Sequence, residues 1–214
     1  MLHMIFQNRI EAGLLLADKL KNYQSGTGLV LAIPRGGVPV AYAVAKELGL
    51  PIELILTKKI GHPTNKEYAI GAASLTDYFT IPHENVTEEY IQAEIVRIRT
   101  RLKEMYKIFM GDQQPADLQG KTVIIIDDGI ATGNTLLGTI QLLRKSKPRK
   151  MIIAVPVASR SAVNKLAKEV DEIVVVYVPD QFYGVGAFYE DFEQVTDEEV
   201  IYYLEKMREL KKAG

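Results

Sequence analysis

Asp127 and Asp128, two adjacent carboxylates, lead into a loop of glycines, hydroxyls and an amide within the stretch V-I-I-I-D-D-G-I-A-T-G-N-T, from Val123 to Thr135. Paired carboxylates suit a ligand rich in hydroxyl donors, or a reacting centre that gains positive charge. Gly129 and Gly133 let the backbone turn sharply and approach a ligand closely. Ile130 and Ala131 carry the chain to Thr132, Asn134 and Thr135, which offer hydroxyl, amide and free backbone N–H groups at a helix start, where the dipole favours an anion. A phosphorylated sugar has both needs: vicinal hydroxyls for the carboxylates and a terminal phosphate for the N–H nest. The alternative is that the two acids only end a strand and cap a helix. No G-x-x-x-x-G-K-[ST] loop is present, and Asn134 stands where its lysine would be needed.

A second loop has the same logic. Arg35-Gly36-Gly37 follows a short apolar run and precedes a helical pattern, so a Gly-Gly turn, a helix start and a guanidinium fork converge on one anion site. Lys58 and Lys59 follow the apolar run Ile52 to Thr57; they are either solvated surface or, placed at the end of a core strand, further cations for the same ligand. The segment P-D-Q-F-Y-G-V-G-A-F-Y-E-D-F, from Pro179, is unusually aromatic for a loop. Phe182, Tyr183, Phe188, Tyr189 and Phe192 need either burial or a planar ligand such as a nucleobase; local core packing suits Phe188 and Phe192, and both readings stay open for Phe182.

Four apolar residues, two acids and a small-residue loop ending T-G-x-T resemble the phosphoribosyl pyrophosphate (PRPP) signature of type I phosphoribosyltransferases. The resemblance runs along nearly the whole chain to a stand-alone bacterial and archaeal group sharing R-G-G-V-P, G-x-P-x-N-x-E after the lysines, and F-Y-x-V-G-x-F-Y-x-D-F. It implies that Asp127 and Asp128 bind the ribose hydroxyls, that Gly129 to Thr135 bind the 5-phosphate, and that Arg35, Gly36 and Gly37 with Lys58, and Lys59 beside it, receive the pyrophosphate. Asp127, Asp128, Arg35 and Lys58 are then the catalytic candidates. Phe182, with Tyr183 next to it, would stack on a base, and the polar run Gly61 to Lys66 would be a mobile lid. The resemblance further implies Mg²⁺ carried mainly by PRPP with no metal site of the protein's own, pyrophosphate displacement by a nitrogen acceptor, a place in nucleotide metabolism, and a homodimer. Hypoxanthine and guanine enzymes carry an Asp where this chain has Ala131, so a 6-oxopurine acceptor does not follow. A PRPP-sensing protein without turnover is the alternative from another class, and a generic nucleotide-binding α/β protein is a third.

The elements that must position these groups read as alternating strands and helices. Apolar runs at Leu29 to Ile33, Ile52 to Thr57, Val123 to Ile126, Met151 to Val155 and Ile173 to Val178 alternate with helical patterns at Asn8 to Tyr23, Val38 to Leu48, Leu136 to Lys145 and Ser159 to Glu169. That is an α/β fold with a central parallel sheet flanked by helices, plus a small hood or flap formed by insertions and the C-terminal segment. In such sheets ligands bind at the carboxyl ends of the strands, where Arg35, Lys58, the two acids and Pro179 all fall. One domain, 1–214, is expected, with 58–120 as elaboration: the lid, short strands at Glu67 to Ser74 and Tyr78 to Ile81, and a long amphipathic helix from Thr87 to Met110. Ile10, Leu14, Ala17 and Leu20 are expected inward on the first helix, which ends at Ser25-Gly26. Thr196 with Glu199 makes a capping box for a closing helix, Asp197 to Lys212.

Composition narrows the partners. A formal net charge of −1 gives no field to attract nucleic acid or an anionic membrane. Arg97, Arg101, Lys103 and Lys107 on the long helix are interleaved with Glu88, Glu89, Glu94 and Glu104, so a salt-bridged face is expected and not a nucleic-acid stripe. The chain has no cysteine, which excludes disulfides and thiolate chemistry. No apolar stretch is long enough to span a bilayer, and Met1-Leu2-His3-Met4 lacks the start of a signal peptide, so the cytoplasm and small-molecule partners are expected.

Overall fold

The computed structural model describes residues 5–24 and 26–213, with 211–213 by their backbone alone. The expectations placed on Met1 to Met4 and on Ser25 lie outside the described residues. Five strands, β1 (Gly28–Ala32), β2 (Ile52–Leu54), β6 (Thr122–Ile126), β7 (Lys150–Val157) and β8 (Glu172–Tyr177), form one sheet in the order β2-β1-β6-β7-β8. Every pairing in it is parallel. Three others, β3 (Thr57–Gly61), β4 (Ala69–Ser74) and β5 (Tyr78–Thr80), form a separate antiparallel sheet.

β6 is buried along its whole length, as its unbroken run of β-branched residues demands. Its side chains alternate between two cores. Ile124 and Ile126 lie on one face, in a core shared with residues of α2 (Gly37–Leu48), α3 (Glu88–Met110) and α6 (Asp197–Ala213). Val123 and Ile125 meet α4 (Asn134–Lys145) and α5 (Arg160–Leu166) on the other. The chain leaves β1 through α2 to reach β2 on one side, and leaves β6 through α4 to reach β7 on the other. Right-handed crossovers in opposite directions put these helices on opposite faces, so the loops after β1 and β6 stand side by side where the winding reverses.

Three expectations are corrected. The strand expected from Ile52 to Thr57 is broken: β2 stops at Leu54, and Lys58 and Lys59 belong to β3, paired with Ala73 and Ala72 of β4. They therefore do not sit at the end of a core strand. The helix expected over Ser159 to Glu169 stops at Leu166, because the chain must turn to enter β8; its start is as expected, with the Ser159 hydroxyl accepting from Ala162 N–H at 3.1 Å. On α1 (Arg9–Lys19) Ala17 and the capping Leu20 are buried as expected, but the inward face is rotated toward Ala12, Gly13 and Leu16, and Leu14 is 44% exposed.

The rotation has a steric cause. α1 crosses α2 at Gly13, where a Cβ would lie 2.7 Å from Ala43 Cβ and 2.8 Å from the Val40 carbonyl oxygen. Small residues bring the two helices together, and the larger Leu14 is left outside. Gly13→Ala is expected to overpack this crossing and destabilise the fold by about 1–3 kcal/mol. A thermal midpoint equal to that of the parent protein would contradict that.

α3 spans the expected helical pattern, with Thr87 as its N-cap, and buries Ile95, Ile98, Leu102 and Phe109. Of its expected salt bridges one is formed within the helix among the described residues, Arg97 to Glu94 at 2.6 Å, and Lys66 reaches the same carboxylate at 3.3 Å. The turn expected as a lid is the β3–β4 hairpin turn and is docked on α3: Tyr90 Oη donates to the Gly61 carbonyl at 2.7 Å and accepts from Lys66 Nζ at 2.6 Å. The capping box at α6 is formed, Thr196 N–H to Glu199 at 2.8 Å and Glu199 N–H to the Thr196 hydroxyl at 3.2 Å.

Candidate functional site

The reversal of winding brings the two anion-type loops into contact. A Cβ on Gly36 would lie 2.1 Å from Asp128 Oδ2, and one on Gly37 would lie 2.7 Å from the Ile126 carbonyl oxygen and 2.9 Å from Asp127 Cα. Gly36 and Gly37 are thus required by space: they let the start of α2 touch the end of β6. The loop after β6 is held on all sides. Ile130 N–H donates to the Val157 carbonyl at 2.9 Å, Ser159 N–H to the Ile130 carbonyl at 3.0 Å, and the Ser159 hydroxyl to the Ala131 carbonyl. Gly129 lies against Val157 and Val185. Gly133, with φ +71°, supplies the left-handed turn that starts α4, and Thr132, Asn134 and Thr135 are exposed at that start. Lys165 Nζ donates to Asn134 Oδ1, which adds a cation beside this anion-type end of the loop.

Both carboxylates are partly buried at the strand end. Asp127 accepts from Asp128 N–H at 2.9 Å. Burial, reinforced by the neighbouring Asp128 charge, pushes its carboxyl well above the ordinary range. Burial also raises Asp128, opposed by the guanidinium of Arg9, whose Nε donates to Asp128 Oδ2 at 3.0 Å. Tyr189 Oη donates to the Asp128 carbonyl at 2.6 Å, and burial followed by the Asp128 charge keeps that phenol protonated.

Arg35 is at the site but turned to α6, its Nε donating to Asp197 Oδ1 at 2.6 Å. Lys59 pairs with Glu67 at 2.7 Å, and the Lys58 side chain makes no hydrogen bond or ion pair among the described residues. Both lysines are on the small sheet and not in the loops around Asp127. Phe182 is half-buried, its ring 5.5 Å from that of Phe188, while Tyr183 is 67% exposed. Phe188 is core and Phe192 packs against the same cluster, both as expected; Phe192 also stacks on Arg9, 3.9 Å from guanidinium carbon to ring centroid.

Arg9, Tyr189 and Lys165 are the site residues that sequence reasoning missed as such. Arg9 did carry a signal: it opens α1, the end of a helix at which the dipole disfavours a cation, so its charge needs a partner elsewhere. A cavity of about 550 Å³ lined by Tyr23, Thr122, Arg149 and Lys150 lies at the opposite, amino-terminal ends of the strands and shares no residue with the loops. Among the described residues no group of three or more His, Cys, Asp or Glu could hold a metal. The oxygen donors that the two loops do present are the carboxylates of Asp127 and Asp128, of the kind a hard cation such as Mg²⁺ takes together with substrate and water oxygens.

The chain matches the family model described as a phosphoribosyl transferase domain over residues 3–193. Proteins from two Mycobacterium tuberculosis strains, named "Putative phosphoribosyl transferase", are 32% identical over 216 residues, covering 98% of this chain. The chain spans about half, 49%, of the length of these curated relatives. A ribose-phosphate pyrophosphokinase of Pyrococcus furiosus is 28% identical over 167 residues, 67% of this chain and 60% of that protein. Among solved structures, TT1426 from Thermus thermophilus is 36% identical with a TM-score of 0.84, covering 95% of this chain and 99% of that one.

Proposed function

The chain belongs to the phosphoribosyl transferase family, and on that premise we propose that it binds PRPP with Mg²⁺ and transfers the 5-phosphoribosyl group to a nitrogen acceptor, a nucleobase, with release of pyrophosphate. The observation that carries this reading is the contact of Gly36 with Asp128, which joins an arginine-bearing anion loop to an acidic diol-and-phosphate loop at the carboxyl ends of β1 and β6. One sugar diphosphate can then engage both loops at once.

In the proposed reaction the C1–O bond to pyrophosphate breaks and its electron pair leaves with the departing oxygen. The nitrogen lone pair forms the C1–N bond, and the N–H proton goes to solvent. Asp127 and Asp128 accept hydrogen bonds from the ribose hydroxyls and set negative charge near the ring as it gains cationic character. The Gly129 to Thr135 loop holds the 5-phosphate away from the chemistry, so that remote binding orients the reacting carbon. Arg35, Gly36 and Gly37 receive the pyrophosphate, with Lys58 and Lys59 reaching it from the small sheet. Mg²⁺, bound through the diphosphate oxygens, would neutralise the charge that develops on the leaving group. Phe182 and Tyr183 form the base subsite, with Tyr183 offering the exposed ring.

Arg35 must exchange Asp197 for pyrophosphate. Both side chains of that pair are more than 40% exposed, so the pair is worth at most about 1 kcal/mol. Asp197→Asn is expected to tighten PRPP binding by up to about fivefold, and weaker binding by this variant would count against Arg35 as the pyrophosphate ligand. The function itself is tested by pyrophosphate release from PRPP and Mg²⁺ across a panel of nucleobases. Release with one base supports transfer. Ala131 bears on which base is accepted, as the acid that could serve a 6-oxopurine is missing there, and a PRPP-sensing protein without turnover is the alternative. PRPP binding without release for any base would establish that alternative, and no PRPP binding would overturn both readings.

A further inference from the structure

Asp128 is gripped by a closed ring of groups from three separate parts of the chain. Arg9 Nε donates to Asp128 Oδ2 at 3.0 Å, and its terminal nitrogen donates to the Glu193 carbonyl at 2.9 Å. The guanidinium lies 3.9 Å from the Phe192 ring centroid, and that ring is 5.0 Å from Tyr189. Tyr189 closes the circle by donating to the Asp128 carbonyl at 2.6 Å. The Arg9 and Asp128 side chains are only 11% and 14% exposed. At that burial a planar guanidinium fixed by stacking sets carboxylate geometry in a way that a solvated ion pair does not. A Cβ on Gly36 would lie 2.1 Å from Oδ2 and 3.3 Å from Oδ1, so the turn passes close to this carboxylate; with Arg9 on Oδ2, Oδ1 accepts no hydrogen bond among the described residues.

We propose that Arg9 is a positioning residue for the sugar-diphosphate site, acting through Asp128: it occupies Oδ2 so that Oδ1 is presented to a ribose hydroxyl. This rests on the PRPP reading of the site. It adds a role that neither the acidic signature nor the arginine-bearing turn contains, carried by a residue 119 positions away in sequence. Phe192 and Tyr189 serve the same end by stacking under the guanidinium and fixing the Asp128 backbone.

The test is calorimetric titration of the whole chain with PRPP and Mg²⁺, together with thermal unfolding, for Arg9→Met, Arg9→Lys, Phe192→Leu and the Arg9→Met/Phe192→Leu pair. Arg9→Met is expected to weaken PRPP about tenfold, as loss of a group that orients a ligating carboxylate does elsewhere. Arg9→Lys keeps the charge without the stacked fork and should recover part of that loss. Phe192→Leu should weaken binding in the same direction, and the double variant should bind no worse than Arg9→Met, because both changes break one clamp. A purely structural clip would lower the thermal midpoint with PRPP affinity unchanged, and that result overturns the proposal. If Arg9→Met does not fold, unchanged affinity in both Arg9→Lys and Phe192→Leu overturns it equally. A parent protein that fails to bind PRPP overturns the functional reading instead.

Discussion

Asp127→Asn is expected to weaken PRPP use by about 100-fold in kcat/KM while the free protein keeps or gains thermal stability. The substitution keeps the shape and still accepts the 2.9 Å bond from Asp128 N–H, so local geometry survives. What it removes is a buried negative charge beside another, needed only when the ligand is present. The pH dependence follows in sign. Burial and the Asp128 charge raise the Asp127 carboxyl above its ordinary 3.8 in the native state, so the folded protein binds a proton more tightly than the unfolded chain. Stability of the free protein therefore falls as pH rises from that value through the native one, and the fall is smaller in Asp127→Asn. PRPP affinity moves the opposite way, rising as the pair ionises. Thermal unfolding across pH, with and without PRPP and Mg²⁺, reads both trends. An Asp127→Asn protein that turns over like the parent would remove Asp127 from the site.

Much of this arrangement is legible in the sequence because it depends on local pattern. The β-branched run Val123 to Ile126 suits a strand buried on both faces, and two acids followed by Gly129 and Gly133 suit a tight loop leaving it, as the structure has them. The Gly36-Gly37 turn reads as an anion loop for the same reason. What fails is whatever depends on distant partners. Ile52 to Thr57 looks like one strand, yet after β2 the backbone moves to a second sheet, where Lys58 pairs with Ala73. Periodicity does not say which sheet a β-rich run joins. Leu14 looks inward by spacing, but the choice of face on α1 is made by Gly13 meeting Ala43.

Asp128 is the instructive case. Taken as a carboxylate at a strand end, it should hold no core. In the structure it is the partner of Arg9, and its removal would leave a guanidinium that is only 11% exposed without a counter-charge. Asp128→Ala therefore confounds binding with stability, whereas Asp127 does not carry that link. The same partnership explains the aromatic C-terminal segment: Tyr189 and Phe192 are there for Asp128 and Arg9, and Phe182 half-packs on Phe188.

Gly36→Ala is expected to weaken PRPP by between about 5-fold and 150-fold, the equivalent of about 1–3 kcal/mol of overpacking. At Gly36 φ is −58° and ψ −32°, ordinary for any residue, so glycine is not needed there for conformation. It is needed for room, because a Cβ would stand 2.1 Å from Asp128 Oδ2 and 2.7 Å from its Cγ. Asp128 cannot simply swing aside, since Arg9 holds that oxygen and Tyr189 holds its carbonyl. The added methyl must either break the Arg9 pair or lift the arginine-bearing turn, and each spoils one half of the ligand site. Gly37→Ala separates local from global effects. Its Cβ would meet the Ile126 carbonyl and Asp127 Cα, backbone atoms of the central strand that have nowhere to go, so its loss should appear first in the thermal midpoint. Paired titration and unfolding of the two variants thus distinguishes a turn that shapes a ligand site from one that seats a helix on the sheet. PRPP binding by Gly36→Ala at the parent's affinity would mean that Asp128 Oδ2 has no part in setting the site.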